Sequence, residues 1–118
     1  MDDEEMLCEM AMRQLSILGH TCITVSDGEQ AINKYQASQD EGTPVDLVIM
    51  DLTIPGGLGG KETASRLLKI DPLAKMIVVS GYSNDPVMAN YQEYGFLAAM
   101  AKPFSLTILN KVIEKACA

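Results

Sequence analysis

The chain has 118 residues, of which 47% are hydrophobic and 21% charged, and its formal net charge is −7. This size and composition predict one globular domain, residues 1–118, rather than a disordered tail. An acidic chain lacks the basic face that phosphate backbones require, so we expect no nucleic acid partner. No apolar run is long enough for a membrane span and no signal-peptide pattern is present, so we expect no membrane partner and a cytoplasmic location.

The chain contains three cysteines, an odd number, without the spacing of metal ligands: Cys8, Cys22 and Cys117. All three lie within apolar patterns, which predicts buried thiols in a reducing compartment. The same conclusion agrees with a cytoplasmic protein.

An acidic segment, residues 2–5, opens the chain and leads into a helical pattern. Asp3 is a candidate helix N-cap, and the two glutamates after it suit the positive end of a helix dipole. Apolar residues then recur at helical spacing until Gly19 ends the segment. On composition alone, the four acids indicate a solvated helix start.

Strand and helix patterns alternate through the rest of the chain. Strands are predicted at 22–25, 47–50, 76–79 and 97–101. Together with the first helix, the predicted helices number five, and the later four begin near Asp27, Lys61, Asp85 and Ser105. Because strands and helices alternate, the pattern predicts a parallel α/β sheet with right-handed crossovers.

Three of the predicted strands are followed by residues that can carry chemistry. A carboxylate, Asp51, follows the second strand, Ser80 follows the third and Lys102 follows the fourth. The carboxyl ends of parallel strands share one edge of the sheet, where open sheets place their ligands. A lone Asp51 could as well cap the following turn, but the three groups together favour a site.

The phrase Asp-Leu-Val-Ile-Met-Asp-Leu-Thr-Ile-Pro at 46–55, the phrase Ala-Lys-Pro-Phe at 101–104 and the acidic pair at 2–3 resemble the response-regulator receiver domain of two-component signalling. The resemblance covers nearly the whole chain. On residues 55–62 and 80–86, it is closest to receivers of hybrid sensor histidine kinases. It implies a flavodoxin-like (CheY-like) doubly wound parallel sheet in three layers, with strand order 2-1-3-4-5.

Receivers have an apolar strand before the acidic pair, and here only Met1 precedes it. We therefore expect an N-terminally truncated receiver whose first strand position is empty, rebuilt, or supplied by another molecule through segment exchange in a homodimer. Losing a central strand removes ladder hydrogen bonds and buried apolar area worth several kcal/mol. The start of the chain is expected to fray as a result.

The resemblance assigns the phosphoacceptor role to Asp51 and implies a Mg²⁺ cofactor. Asp3 and Asp51 would be direct ligands, Asp2 would act through water, and Thr53 would offer its carbonyl oxygen. The phosphoryl group would come from a histidine kinase or a phosphotransfer protein.

The resemblance also implies groups that contact the phosphoryl oxygens. Lys102 would contribute an ammonium and Ser80 a hydroxyl that swings toward the phosphoryl group. Backbone N–H groups of Leu52, Thr53 and Gly81 are candidate further donors. Receivers hold the bond after the lysine cis, so Lys102–Pro103 is expected to be cis.

One departure from the family concerns signal output. The position three residues before Lys102, aromatic in many receivers, is Ala99, so the usual aromatic rotamer switch is unavailable. Among the properties that the resemblance implies, signal transmission through the surface of the fourth helix has the least support in this sequence.

Two other functions compete with phosphoacceptance. A phosphohydrolase of the haloacid-dehalogenase type needs a second Asp at the position of Thr53 and an acidic pair after the lysine, where Phe104 and Ser105 stand. The other alternative is a receiver-like interaction module whose frayed acidic pair binds no magnesium.

Overall fold

The structure is a computed structural model that describes residues 1–82 and 84–117. Its helices are α1 Glu5–Ile17, α2 Gly28–Asp40, α3 Gly60–Ile70, α4 Pro86–Ala89 and α5 Leu106–Cys117, with a 3₁₀ turn at Tyr91–Tyr94. Its strands are β1 Val48–Asp51, β2 Met76–Ser80 and β3 Ala98–Ala101.

The three strands form one parallel sheet in the order β1-β2-β3. The register places Ile49 beside Ile77 and Ile77 beside Ala98. All five residues of β2 are buried, as expected for a central parallel strand covered on both faces. The predicted parallel α/β class is confirmed, and the three strands occupy the last three positions of the expected order.

Helices cover both faces of the sheet and create two separate cores. On one face, buried Met50 and Val78 pack in a cluster with Tyr35, Leu67 and other residues of α2, α3 and α4. On the other face, buried side chains of β2 and β3 pack against α5, and Leu15 and Leu18 of the α1 region join them: Ile77, Val79, Ala98, Met100, Leu109, Ile113 and Ala116. This alternation along the strands produces the three-layer architecture.

Local capping explains where most helices begin. The Asp27 carboxylate accepts the Gln30 N–H at 2.9 Å, and Gln30 Oε1 in turn accepts the Ser26 N–H at 2.9 Å. Asp85 caps α4 through the Val87 N–H at 2.9 Å. These starts follow the prediction. The prediction that Asp3 is the N-cap of the first helix is wrong, because Glu4 occupies that position. Asp2 Oδ1 accepts the Glu4 N–H at 3.0 Å.

The prediction of a strand at 22–25 is also wrong. No strand is assigned between residues 20 and 25, and Ile23 is 56% exposed. The segment is joined to the start of the chain by one backbone bond, from the Asp2 N–H to the Val25 carbonyl at 3.1 Å. A strand needs a neighbour to pair with, and two residues do not provide a ladder.

The cysteines are less buried than predicted. Cys8 and Cys22 are half-buried and Cys117 is exposed. In the two described ranges, no helix has the length and apolar character needed to cross a membrane.

Candidate functional site

The three strand ends meet at one edge of the sheet, as the sequence predicted. Asp51 is the last residue of β1, Ser80 is the last residue of β2, and Lys102 directly follows β3. Asp51 is 7% exposed and Ser80 1% exposed, so both polar groups lie within the protein rather than on a solvated loop. The Lys102–Pro103 bond is cis, as expected.

Lys102 joins two of the predicted acidic residues. Its Nζ lies 2.6 Å from Asp2 Oδ2 and 3.0 Å from Asp51 Oδ2, and all three side chains are largely shielded from solvent. Burial alone would lower the pKa of the ammonium, but the hydrogen bonds that it donates to the two carboxylates outweigh burial and raise that pKa. Lys102 therefore remains charged and neutralises part of the acidic cluster.

The environment of Asp51 differs from that of an exposed aspartate. Burial raises the pKa of its carboxyl group above the ordinary value, although hydrogen bonding to Lys102 acts in the opposite direction. The Thr53 N–H also points toward Asp51, 3.4 Å from Oδ1. Desolvation makes a carboxylate a better nucleophile when a cation is present to keep it ionised.

Asp2, Asp3 and Asp51 form the acidic cluster. Each of the three has one carboxylate oxygen that lies within 4.8 Å of the others. Two oxygens on opposite sides of a Mg²⁺ ion, each about 2.1 Å from it, lie about 4.2 Å apart. The donor set is all oxygen and its spacing is close to this limit, so the cluster fits Mg²⁺ with a small movement and displacement of the Lys102 ammonium.

The acidic pair is held in place by a short backbone connection between two parts of the fold. The Met1 amino group donates to the Ile49 carbonyl at 2.8 Å, and the Met1 carbonyl accepts the Asp51 N–H at 2.9 Å. Asp2 bonds to Val25 on the opposite side. We expected a frayed start, but these bonds place the pair beside Asp51. No signal in the sequence indicates that Met1 pairs with β1.

The loop before α3 packs against the backbone of the site because it contains glycines. A Cβ atom on Gly59 would lie 2.4 Å from the Leu52 carbonyl oxygen, and one on Gly60 would lie 2.9 Å from the Asp51 carbonyl oxygen. The Gly60 N–H donates to the Leu52 carbonyl at 3.2 Å. Only glycine permits this close approach.

One of the predicted phosphoryl donors is not available. The Leu52 N–H donates to the Val79 carbonyl at 2.9 Å and thus continues the β1–β2 ladder. The expectation that Leu52 contacts a phosphoryl group is corrected, because a single N–H already used in the sheet cannot serve both purposes without weakening the sheet. Thr53 and Gly81, which follow Asp51 and Ser80 outside the pairing region, are exposed residues.

Ser80 points toward its own loop. Its Oγ accepts the Tyr82 N–H at 2.9 Å, and its carbonyl accepts the Lys102 N–H at 2.9 Å. The hydroxyl therefore links the end of β2 to the loop at 81–86, of which Ser83 lies outside the described residues. No motif in the sequence indicates that the Tyr82 N–H is the donor to Ser80.

Known proteins share this fold. The family model for the response regulator receiver domain matches residues 1–114. The chain therefore belongs to the response regulator receiver domain family, and it is a phosphoacceptor domain of two-component signalling. The receiver interpretation is confirmed, and the haloacid-dehalogenase alternative is wrong. Domains of this family interact with histidine kinases or phosphotransfer proteins.

Two relatives show how similar the chain is to known proteins in sequence. The chain is 29% identical over 118 residues to the sensor kinase CckA of Brucella abortus, with 97% of this chain and 12% of that kinase covered. It is 31% identical over 97 residues to sporulation initiation phosphotransferase F of Bacillus subtilis, with 82% of this chain and 73% of the relative covered. The chain thus spans a small part of the kinase and most of the phosphotransferase.

A solved structure extends the comparison. The response regulator TrrA of Thermotoga maritima, in complex with Mg²⁺ and BeF, superposes with a TM-score of 0.83 at 27% identity, covering 98% of this chain and 93% of that one. The match confirms the flavodoxin-like receiver fold.

Proposed function

We propose that Asp51 is the residue that accepts the phosphoryl group. The observation that carries this proposal is the convergence of the buried Asp51 carboxylate with Lys102 at 3.0 Å and with the oxygens of Asp2 and Asp3. An Asp51 oxygen would attack the phosphorus of a phosphohistidine, forming a P–O bond while the P–N bond breaks. The histidine leaves with its ring nitrogen electron pair, and the product is an acyl phosphate.

The surrounding residues have distinct tasks in this proposal. Asp3 and Asp51 would hold Mg²⁺ directly, Asp2 through water, and Thr53 through its carbonyl. When bound, the ion would neutralise charge on the phosphoryl oxygens. Lys102 would turn from Asp2 toward one phosphoryl oxygen. The structure of TrrA was solved with Mg²⁺ and BeF, which supports a site for both in this fold.

The proposed response is a shift of the loop after β2. The Ser80 hydroxyl would exchange its bond with the Tyr82 N–H for one to the phosphoryl group, and the Gly81 N–H would donate to another oxygen. The present 2.9 Å bond between Ser80 and Tyr82 supports this, because breaking it frees the loop to move.

The donor is a histidine kinase or phosphotransfer protein, and the domain acts either within a hybrid sensor histidine kinase or as a stand-alone regulator in the cytoplasm. The likeness to a sensor kinase over 97% of this chain and to a phosphotransferase over 82% supports both settings. Whichever applies, the domain consumes a phosphoryl group and turns over no separate substrate.

Labelling with a small phosphodonor tests the role of Asp51. With acetyl phosphate and Mg²⁺, we expect one phosphoryl group per chain, labile to base and to hydroxylamine, by intact-mass spectrometry. Asp51→Asn should abolish it, because an amide oxygen is a poor nucleophile.

The matched control is Asp40→Asn, an exposed aspartate at the end of α2, which should label like the unaltered chain. Labelling that persists in Asp51→Asn would show that another residue is the nucleophile. Absence of label in all chains, together with absence of Mg²⁺ binding, would favour an interaction module.

A further inference from the structure

Helix α1 carries a row of apolar side chains on its solvent side. Met6 is 77% exposed, Met10 is 52% exposed and Ile17 is 73% exposed. The opposite side of the helix supplies Leu15 to the core that contains α5. Single exposed apolar residues are common on protein surfaces, but an aligned row of them indicates a contact surface.

The exposed row has the spacing of a seam between two helices. Together with exposed Arg13, the residues fall at positions 6, 10, 13 and 17, which are four, three and four apart. At about 100° per residue, these four positions lie within about 60° of one another around the helix. Positions that repeat in this way form the contact between two helices that pack along their length. We call Met6, Met10, Arg13 and Ile17 the α1 stripe.

The α1 stripe is complementary to a copy of itself. Its spacing reads the same from both ends, so an antiparallel second α1 places Ile17 opposite Met6 and Arg13 opposite Met10. Both pairs then repeat about a two-fold axis between residues 11 and 12. A two-fold contact of this kind uses the same surface on both chains. The α1 stripe therefore needs no second, different surface as its partner.

The charges of α1 favour the same antiparallel arrangement. Glu9 lies one position from the residue that faces Arg13, so each guanidinium meets a carboxylate of the other chain. A parallel copy would instead place Arg13 against Arg13. Within residues 1–82 and 84–117, neither Glu9 nor Arg13 forms an ion pair, although the two are one helical turn apart. Both charges are thus available to a second chain.

We propose that the α1 stripe binds a second copy of this chain, with the two α1 helices antiparallel. Met10 of each chain packs against the aliphatic stem of the partner's Arg13, and Met6 packs against the partner's Ile17. A helix of 13 residues is about 20 Å long, so the contact is smaller than the roughly 1,200–2,000 Å² of a stable complex. The dimer is accordingly reversible. This proposal is independent of phosphoryl transfer.

Sedimentation equilibrium of the unaltered chain, from about 10 μM to about 1 mM, tests the contact. We expect a monomer–dimer equilibrium. Met10→Ser should weaken association at least about tenfold, because it removes a central apolar contact. The matched control is Met12→Ser, since Met12 is 40% exposed on the same helix but lies at least about 100° from the α1 stripe. This control should associate like the unaltered chain.

Two charge reversals test the pairing itself. Glu9→Arg brings only positive charges to the contact and Arg13→Glu only negative ones, so each variant alone should associate at least about tenfold more weakly. Mixed in equal amounts, the two variants should associate to within about threefold of the unaltered chain, because each arginine then meets a glutamate of the other chain. An ion pair within one helix cannot produce this recovery, since mixing leaves each chain's own charges unchanged. Circular dichroism checks that all variants fold.

An unaltered chain that stays monomeric throughout this concentration range would overturn the proposal. Charge-reversed variants that associate like the unaltered chain, or that do not recover on mixing, would overturn it too. So would association that Met10→Ser leaves unchanged, because the two chains would then meet through another surface.

Discussion

At the scale of single residues, the central feature is competition for carboxylate oxygens. Lys102 Nζ contacts both Asp2 and Asp51, and the same two residues belong to the cluster that fits Mg²⁺. We therefore expect the ammonium and the metal ion to compete for these carboxylates. This arrangement keeps three clustered carboxylates from repelling one another without a metal.

Removing the ammonium should therefore strengthen Mg²⁺ binding. We expect Lys102→Ala to bind Mg²⁺ about threefold to tenfold more tightly, or about 0.7–1.4 kcal/mol, by isothermal titration calorimetry. Lys111→Ala, an exposed lysine of α5, should leave the affinity unchanged. Phosphoryl labelling of Lys102→Ala should persist while the movement of the loop after β2 weakens. A lower Mg²⁺ affinity in Lys102→Ala would contradict the competition.

At the scale of elements, a polar clasp ties the end of α2 to the link between α3 and β2. The buried Tyr35 hydroxyl donates to Asp71 Oδ2 at 2.6 Å, and Gln39 Nε2 donates to the same oxygen at 3.2 Å. The other Asp71 oxygen accepts the Leu73 N–H at 3.0 Å. Helices α2 and α3 thus share one fixed corner on the face of the sheet that contains Met50 and Val78.

The clasp should depend on pH in a defined direction. Burial, with the Asp71 contact, raises the pKa of Tyr35 from 10.0 to about 12. A raised pKa in the folded state means that the stabilisation is complete below pH 10 and is lost as pH rises through about 12. Tyr35→Phe should lower the Tm by roughly 4 °C or more at pH 8, and the difference should disappear near pH 12.

Tyr82→Phe is the matched control, because that side chain is 71% exposed and its change should leave the Tm unaffected at both pH values. A Tyr35→Phe chain as stable as the unaltered chain at pH 8 would show that the clasp contributes nothing.

At the scale of the whole molecule, the acidic pair depends on fewer backbone contacts than the rest of the site. Three strands and two cores hold Asp51, Ser80 and Lys102 in place, whereas the acidic pair is positioned by the backbone bonds of Met1 and Asp2 alone. Further backbone pairing beside β1 should therefore strengthen the metal site.

A chain extended before Met1 by an apolar strand of about seven residues tests this coupling. We expect Mg²⁺ affinity about tenfold higher, about 1.4 kcal/mol, because the backbone of Asp2 and Asp3 would be fixed between two neighbours. The Tm should also rise. An extension of equal length made of glycine and serine should change neither quantity. Equal Mg²⁺ affinity in the two extended chains would show that the acidic pair is already fully ordered.

Much of this protein could be predicted from its sequence because the relevant signals are local. Apolar runs ending in Asp51, Ser80 and Lys102 predicted three parallel strands and a shared edge, and Asp27 and Asp85 predicted helix starts. Periodicity and capping depend on neighbours a few residues away. The receiver motifs then linked these strand ends to phosphoryl chemistry.

Only the tertiary structure decided the properties that depend on a distant partner. Residues 22–25 have strand propensity but form no strand, because a strand exists only through its neighbour. Leu52 looked like a free donor, but its N–H is used by Val79 across the sheet. The acidic pair reaches Asp51 through a bond from a residue 50 positions away, at Met1. Hydrogen bonds between distant segments produce no periodic pattern in the sequence, so only the tertiary structure determines them.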